Sequence, residues 1–195
     1  VMLWLSTSTD QRLSSTTLTV HSNSCESHMR LTNTPFRYRK PVVITCYLTA
    51  FPSFVQPELE RLINSLVSND DGVGFTIATS NGQLITEHAI GKRDVQTTTW
   101  SGKDGKEHSY TKVVIDKSPM EDLCRRFVKL RKRHAEGPAM FHSRLATGGV
   151  EDTRGCHPFK LGGGMTGTVL AHNGIMFSTP VGDYRSDTRI FAEEY

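Results

Sequence analysis

VVITCYLTAF, residues 42–51, sets Cys46 directly after a run of β-branched and apolar residues. The run reads as a buried strand, Val42–Leu48, bounded by Pro41 before it and Pro52 after it. A cysteine there has two readings. It is either a buried thiol, the ordinary fate of a free cysteine, or a nucleophile placed at the start of a structured chain. Three motifs about a hundred or more residues downstream bear on the choice.

Outward from this strand the chain divides in two. Residues 1–45 are rich in Ser and Thr and lack helical or strand periodicity up to about Pro41. They carry five Lys/Arg against two acids, whereas residues 46–195 carry 18 of each sign. The basic balance therefore belongs to the N-terminal segment and says little for a nucleic-acid or membrane partner. That segment is expected to be a disordered leader, a propeptide or an upstream extension outside the fold. Residues 46–195 are expected to form one domain, since 36% apolar residues in a chain of 195 can enclose a core.

The C-terminal side of the strand alternates patterns. Gln56-Pro57 opens a helix carrying Leu59, Leu62, Ile63 and Leu66, and Asn69-Asp70-Asp71-Gly72 ends it. Gly74–Thr79 and Leu84–His88 flank the hairpin signal Asn81-Gly82. A polar excursion over 91–117 reads as an exposed hairpin or loop. Ser118-Pro119-Met120-Glu121 reads as a capping box, opening a helix with Met120, Leu123, Phe127 and Leu130 on one face. Ala139–Leu145 and Thr168–Ala171 read as strands. The order is mixed α+β without the regular alternation of a doubly wound sheet.

Four cysteines without CxxC spacing suit a reduced, cytoplasmic protein. No apolar run approaches a bilayer span. His142, Cys156, His157 and His172 lack the short spacings of zinc ligands, so no metal is expected. The run RRFVKLRKRH (125–134) lies on the second helix, where its Phe and Leu belong to the apolar stripe and its cations to a solvated face.

Three runs carry chemistry: HSRLAT (142–147), HNG (172–174) and SDTR (186–189). Each places a polar group at a strand end or in a turn, where binding groups concentrate. An Arg there can hold a carboxylate, an Asp an ammonium, and Asn-Gly can offer two N–H groups to one oxygen. Arg144 and Asp187 have a competing reading as a structural ion pair, and Asn173-Gly174 as a plain turn.

In order and spacing, Cys46, His142–Thr147, His172-Asn173-Gly174 and Ser186-Asp187-Thr188 resemble the class II glutamine amidotransferases, whose glutaminase domains are N-terminal-nucleophile (Ntn) hydrolases. Cys156-His157-Pro158-Phe159 is similar to the family's His-Pro segment, and CYLTAFP with NDDGVGF to its short stand-alone members. The resemblance covers roughly residues 44–195. It implies a four-layer αββα sandwich that here stops short of the strands the family carries after Asp187. It also implies that Cys46 attacks the glutamine side-chain amide, with its own α-amine as base. Asn173 and Gly174 would form the oxyanion hole. Arg144, Thr147 and Asp187 would bind the amino-acid end of the substrate.

Glutamate and ammonia would be the products, with no cofactor and no metal, and a separate synthase or acceptor subunit would take the ammonia. A γ-glutamyl amide or peptide is the alternative substrate, and a catalytically silent binding module the alternative role. The chain departs from the family at Thr45, where an initiator Met is expected, at Leu145, Gly148 and Arg189, and in ending at Tyr195.

Overall fold

The computed structural model describes residues 2–7, 16–21, 46–146, 152–164, 167–179 and 182–194. The elements run β1 (Met2–Thr7), β2 (Thr16–His21), β3 (Tyr47–Phe51), α1 (Leu59–Ser65), β4 (Gly72–Ala78), β5 (Leu84–Ala89), β6 (Lys92–Ser101), β7 (Glu107–Asp116), α2 (Ser118–Arg133), β8 (Ala139–Arg144), β9 (Phe159–Lys160), β10 (Thr168–His172) and α3 (Asp187–Glu194). Two four-stranded sheets, ordered β3-β8-β4-β5 and β2-β1-β10-β9, accompany the separate β6-β7 ribbon. Every pairing is antiparallel.

β4 is buried along its whole length and so reads in sequence as an unbroken apolar run. Its alternation splits the core in two. Val73, Phe75 and Ile77 face α1 and α2 in a cluster with Phe51, Leu62, Phe127 and Phe141, whereas Ala78 faces the other sheet. Phe127 anchors the helical side, with ring centroids 4.9 Å from Phe75 and 5.5 Å from both Phe51 and Phe141. Between the sheets, Met140 of β8 meets Leu3 and Leu5 of β1 and Val169 and Ala171 of β10. The opposite faces of β1 and β10, Trp4 and Leu170, pack with Phe191 and Ala192 of α3. Trp4 and Phe191 meet edge-to-face at 5.9 Å.

This corrects the reading of residues 1–45 as a leader outside the fold. β1 pairs with β10 from Met2↔His172 to Ser6↔Thr168, and β2 pairs with β1 along its length. Leu3 and Leu5 are buried. The alternation in MLWLST is hidden because both of its faces are apolar, one toward each core. The remainder of 1–45, with Val42–Thr45 of the expected first strand, lies outside the described residues. The strand that follows Cys46 is Tyr47–Phe51.

α2 forms as expected, with Met120, Leu123 and Phe127 buried. Its N-terminus differs from a capping box. Lys117 occupies the cap position without a side-chain hydrogen bond. The Ser118 N–H instead donates to Asp116 Oδ1 at 3.0 Å, so a residue before the box takes the capping role. The cationic run also divides. Arg125 and Arg126 make surface ion pairs with Glu121, Asp122 and Glu87. Arg131 is fully buried and donates to the carbonyls of Pro52, Val55 and His134. Its place on the apolar side of α2 follows from i+4 spacing after Phe127. The excursion over 91–117 is the β6-β7 ribbon, paired from Lys92↔Asp116 to Ser101↔Glu107. Among the described residues no helix is long and apolar enough to cross a membrane.

Candidate functional site

Cys46 stands just before β3, which pairs with β8 so that Tyr47 lies opposite Ser143. This register carries the half-buried Cys46 side chain to the end of β8. There its Sγ lies 3.3 Å from the Leu145 N–H and 3.4 Å from the Leu145 carbonyl. A backbone N–H therefore faces the sulfur from the residue after Arg144. Arg144 itself is buried, and alternation along β8 puts it on the same face as Met140 and His142, between the sheets.

Asp71 holds that strand end in place. Its N–H donates to the Arg144 carbonyl at 3.2 Å, and its Oδ2 accepts from the Ala146 N–H at 2.7 Å. Arg93 pairs with its Oδ1 at 3.1 Å. Next to it, Asn69 donates to Ser143 Oγ at 3.3 Å. In sequence Asn69-Asp70-Asp71-Gly72 reads as the end of a helix and as part of the NDDGVGF resemblance, with no site role for Asp71. The acids before β4 were the available signal, because β4 pairs with β8 and its first residue, Gly72, lies opposite Arg144.

The HNG turn closes over the same cysteine. The Asn173 side-chain amide donates to the Cys46 carbonyl at 2.5 Å. Gly174 has φ +135, and a Cβ there would lie 3.3 Å from the His172 ring, so both conformation and space call for glycine. Two residues past Gly174, the Met176 N–H donates to Asp187 Oδ2, while Asp187 Oδ1 accepts from the Thr188 N–H and hydroxyl. Thr188 Oγ1 in turn lies 3.4 Å from His172 Nδ1. The loop 173–176 thus ties Cys46 at one end to Asp187 at the other.

Of the residues picked out by sequence, Cys46, Arg144, Asn173, Gly174 and Asp187 fall around this strand end and loop. Asp187, the competing ion-pair partner of Arg144, accepts from the Met176 and Thr188 N–H groups. Thr147 and Gly148 lie outside the described residues. Leu145 contributes its backbone rather than its side chain. Arg189, one turn into α3, pairs with Glu193 at 2.7 Å.

Beneath Arg144 lie two further histidines. His142 and His157 pack against each other with ring centroids 4.4 Å apart and their planes tilted by 48°, and both nitrogens of His142 and Nδ1 of His157 are buried without hydrogen-bond partners. Burial pushes the His142 imidazole down to about 3, helped by the Arg144 guanidinium and by His172 and His88. Burial, then His142 and Arg144, hold His157 well below the ordinary value. Both rings are neutral at pH 7. His88 Nε2 donates to the Pro158 carbonyl at 2.9 Å, after the cis His157–Pro158 peptide. Cys156 is buried, and burial raises its thiol to about 11, so it is not a nucleophile at neutral pH. Among the described residues no three His, Cys, Asp or Glu side chains converge as a metal-ligating group.

Comparisons of the chain with family profiles, with curated proteins and with solved structures returned no match.

Proposed function

We propose that the chain is a class II glutamine amidotransferase-like amidohydrolase that hydrolyses the side-chain amide of glutamine. One observation carries the reading: the cysteine, the end of the HSRLAT strand and the HNG turn, which lie far apart in sequence, converge on one another through the Cys46–Leu145 and Asn173–Cys46 contacts. Helices α1 and α2, two antiparallel sheets and α3, stacked through three successive cores, support the four-layer αββα sandwich of the Ntn hydrolases.

In this reaction the Cys46 sulfur donates an electron pair to the amide carbon, and the carbonyl electrons move onto oxygen. Asn173 and Gly174 supply N–H groups to that oxyanion. Collapse expels ammonia, which takes up a proton, and leaves a γ-glutamyl thioester. Water then adds to the thioester carbon and the C–S bond breaks, releasing glutamate. Arg144 binds the substrate carboxylate and Asp187 the ammonium, with Thr147 beside them. The ammonia passes to an acceptor held by a separate subunit.

The base in this scheme is the α-amine of Cys46, which in the intact sequence is bonded to Thr45. Activity therefore requires cleavage at Thr45–Cys46. β1 and β2 precede that bond and are built into the second sheet, so the released segment would stay bound through β1–β10 pairing.

Denaturing mass spectrometry combined with a glutaminase assay tests the proposal. The expected result is two polypeptides that separate only on denaturation, ammonia release from glutamine, and its loss in Cys46→Ala. An uncleaved chain whose ammonia release matches Cys46→Ala sinks the enzyme reading and leaves a silent binding module. Faster release from γ-glutamyl peptides than from glutamine would reassign the substrate.

A further inference from the structure

On the far flank of the sandwich, β5 and β9 are the edge strands of their two sheets. Between them and one face of α3 lies an open cavity of about 510 Å³, within the range of small-molecule sites. Its charge is lopsided. Arg154, Lys160 and Arg189 line it against the single carboxylate of Glu193, and Phe159 and Pro158 supply an apolar wall.

The three cations are held differently. Asp152 grips Arg154 through Nε and Nη2, at 2.8 Å and 2.5 Å. Glu193 holds Arg189, whose Nη1 also donates to the Arg154 carbonyl at 3.3 Å. Both guanidinium groups are thereby positioned at the rim. Lys160 forms no ion pair among the described residues. Burial holds the neighbouring half-buried His88 ring below its ordinary value, and the Lys160 ammonium adds to this. Two oriented guanidinium groups and an uncompensated ammonium around a concave site match the geometry of a phosphoryl group. The apolar wall suits the organic part of such a ligand.

We propose that this cavity binds a small phosphorylated molecule, with the phosphoryl group between Lys160, Arg154 and Arg189 and the remainder against Phe159 and Pro158. The site is separate from the proposed chemistry, since none of Cys46, Arg144, Asn173 or Asp187 lines it. It stands or falls independently of the glutaminase reading.

Isothermal titration of the full chain with inorganic phosphate at constant ionic strength tests this. The wild type should bind phosphate at one saturable site. Lys160→Met should weaken that binding by about tenfold or more, the usual effect of losing one charge-assisted contact. Arg154→Met should act in the same direction. Lys132→Met, on the exposed last turn of α2, should leave the affinity unchanged. Circular dichroism confirms that each variant is folded, as expected for exposed side chains. Heat that never saturates, or a loss in Lys132→Met equal to that in Lys160→Met, would overturn the proposal, because either marks general charge attraction rather than a site.

Discussion

Replacing Leu5 by Ala tests whether residues 2–7 belong to the fold. Leu5 is fully buried, opposite Val169 in the β1–β10 register, and sits with Leu3, Met140 and Ala171 between the two sheets. Truncation removes three carbons from a site walled on one side by the β8 face and on the other by its own sheet. Neither sheet can collapse inward without disturbing the other. The loss therefore combines transfer and cavity contributions, for a cost of about 3 kcal/mol. In a chain of this size that lowers the melting temperature by roughly 6–12 °C. Urea unfolding followed by tryptophan fluorescence reads it, and Trp4 on the opposite face of the same strand makes the probe local. Val67→Ala, at a position 72% exposed, serves as control and should stay within about 0.5 kcal/mol of wild type. A Leu5→Ala cost as small as that of the control would mean that β1 does not close the inter-sheet core.

Three further outcomes follow from packing and burial. His142 and His157 are held neutral in the fold, so the unfolded chain binds more protons below the ordinary imidazole value of 6.5. Stability is then fully present above 6.5 and falls as pH drops, by up to about 1.4 kcal/mol per pH unit for each ring, with the His142 contribution spent by about 3; His142→Leu should flatten the slope of urea midpoints over that window, and an unchanged slope counts against a neutral buried pair. Gly74→Ala would bring a Cβ to 2.1 Å from the His157 carbonyl and 2.4 Å from the His88 ring, so it should cost about 3 kcal/mol by thermal denaturation, and a neutral result would refute the close approach of β4 to the His-Pro segment. Arg131→Met leaves the carbonyls of Pro52, Val55 and His134 without their donor and should destabilise by about 3 kcal/mol, whereas a cost below about 1 kcal/mol would show that water replaces the guanidinium.

Elements whose hydrogen bonds and apolar spacing are local can be read directly along the chain. α1, α2, β4, β5 and β8 are legible because a period of 3.6 or 2, or an unbroken buried run, suffices to find them. The sequence also marks Cys46, Arg144, Asn173, Gly174 and Asp187, since each lies in a short motif. Tertiary structure alone decided which of those groups meet. The thiol reaches Leu145 only through the β3–β8 register, and Asn173 reaches Cys46 only because β10 ends beside that strand end. Asp71 acquired its role as the clamp on β8 in the same way.

The largest departure is β1. Its partner β10 lies more than 160 residues away in the chain, from Met2↔His172 to Ser6↔Thr168, and its two faces serve two different cores. A strand that is apolar on both faces shows no alternation, and six residues are too few for composition to mark it. α3 carries no clear local signal because its burial depends on Trp4 and Leu170, which only the assembled sheet brings beneath it. Arg131 reads as one more surface cation until the loop at Pro52 and Val55 folds over it and offers carbonyls in place of water. In each case the deciding interaction is a contact between distant segments, and no local period in the chain encodes it.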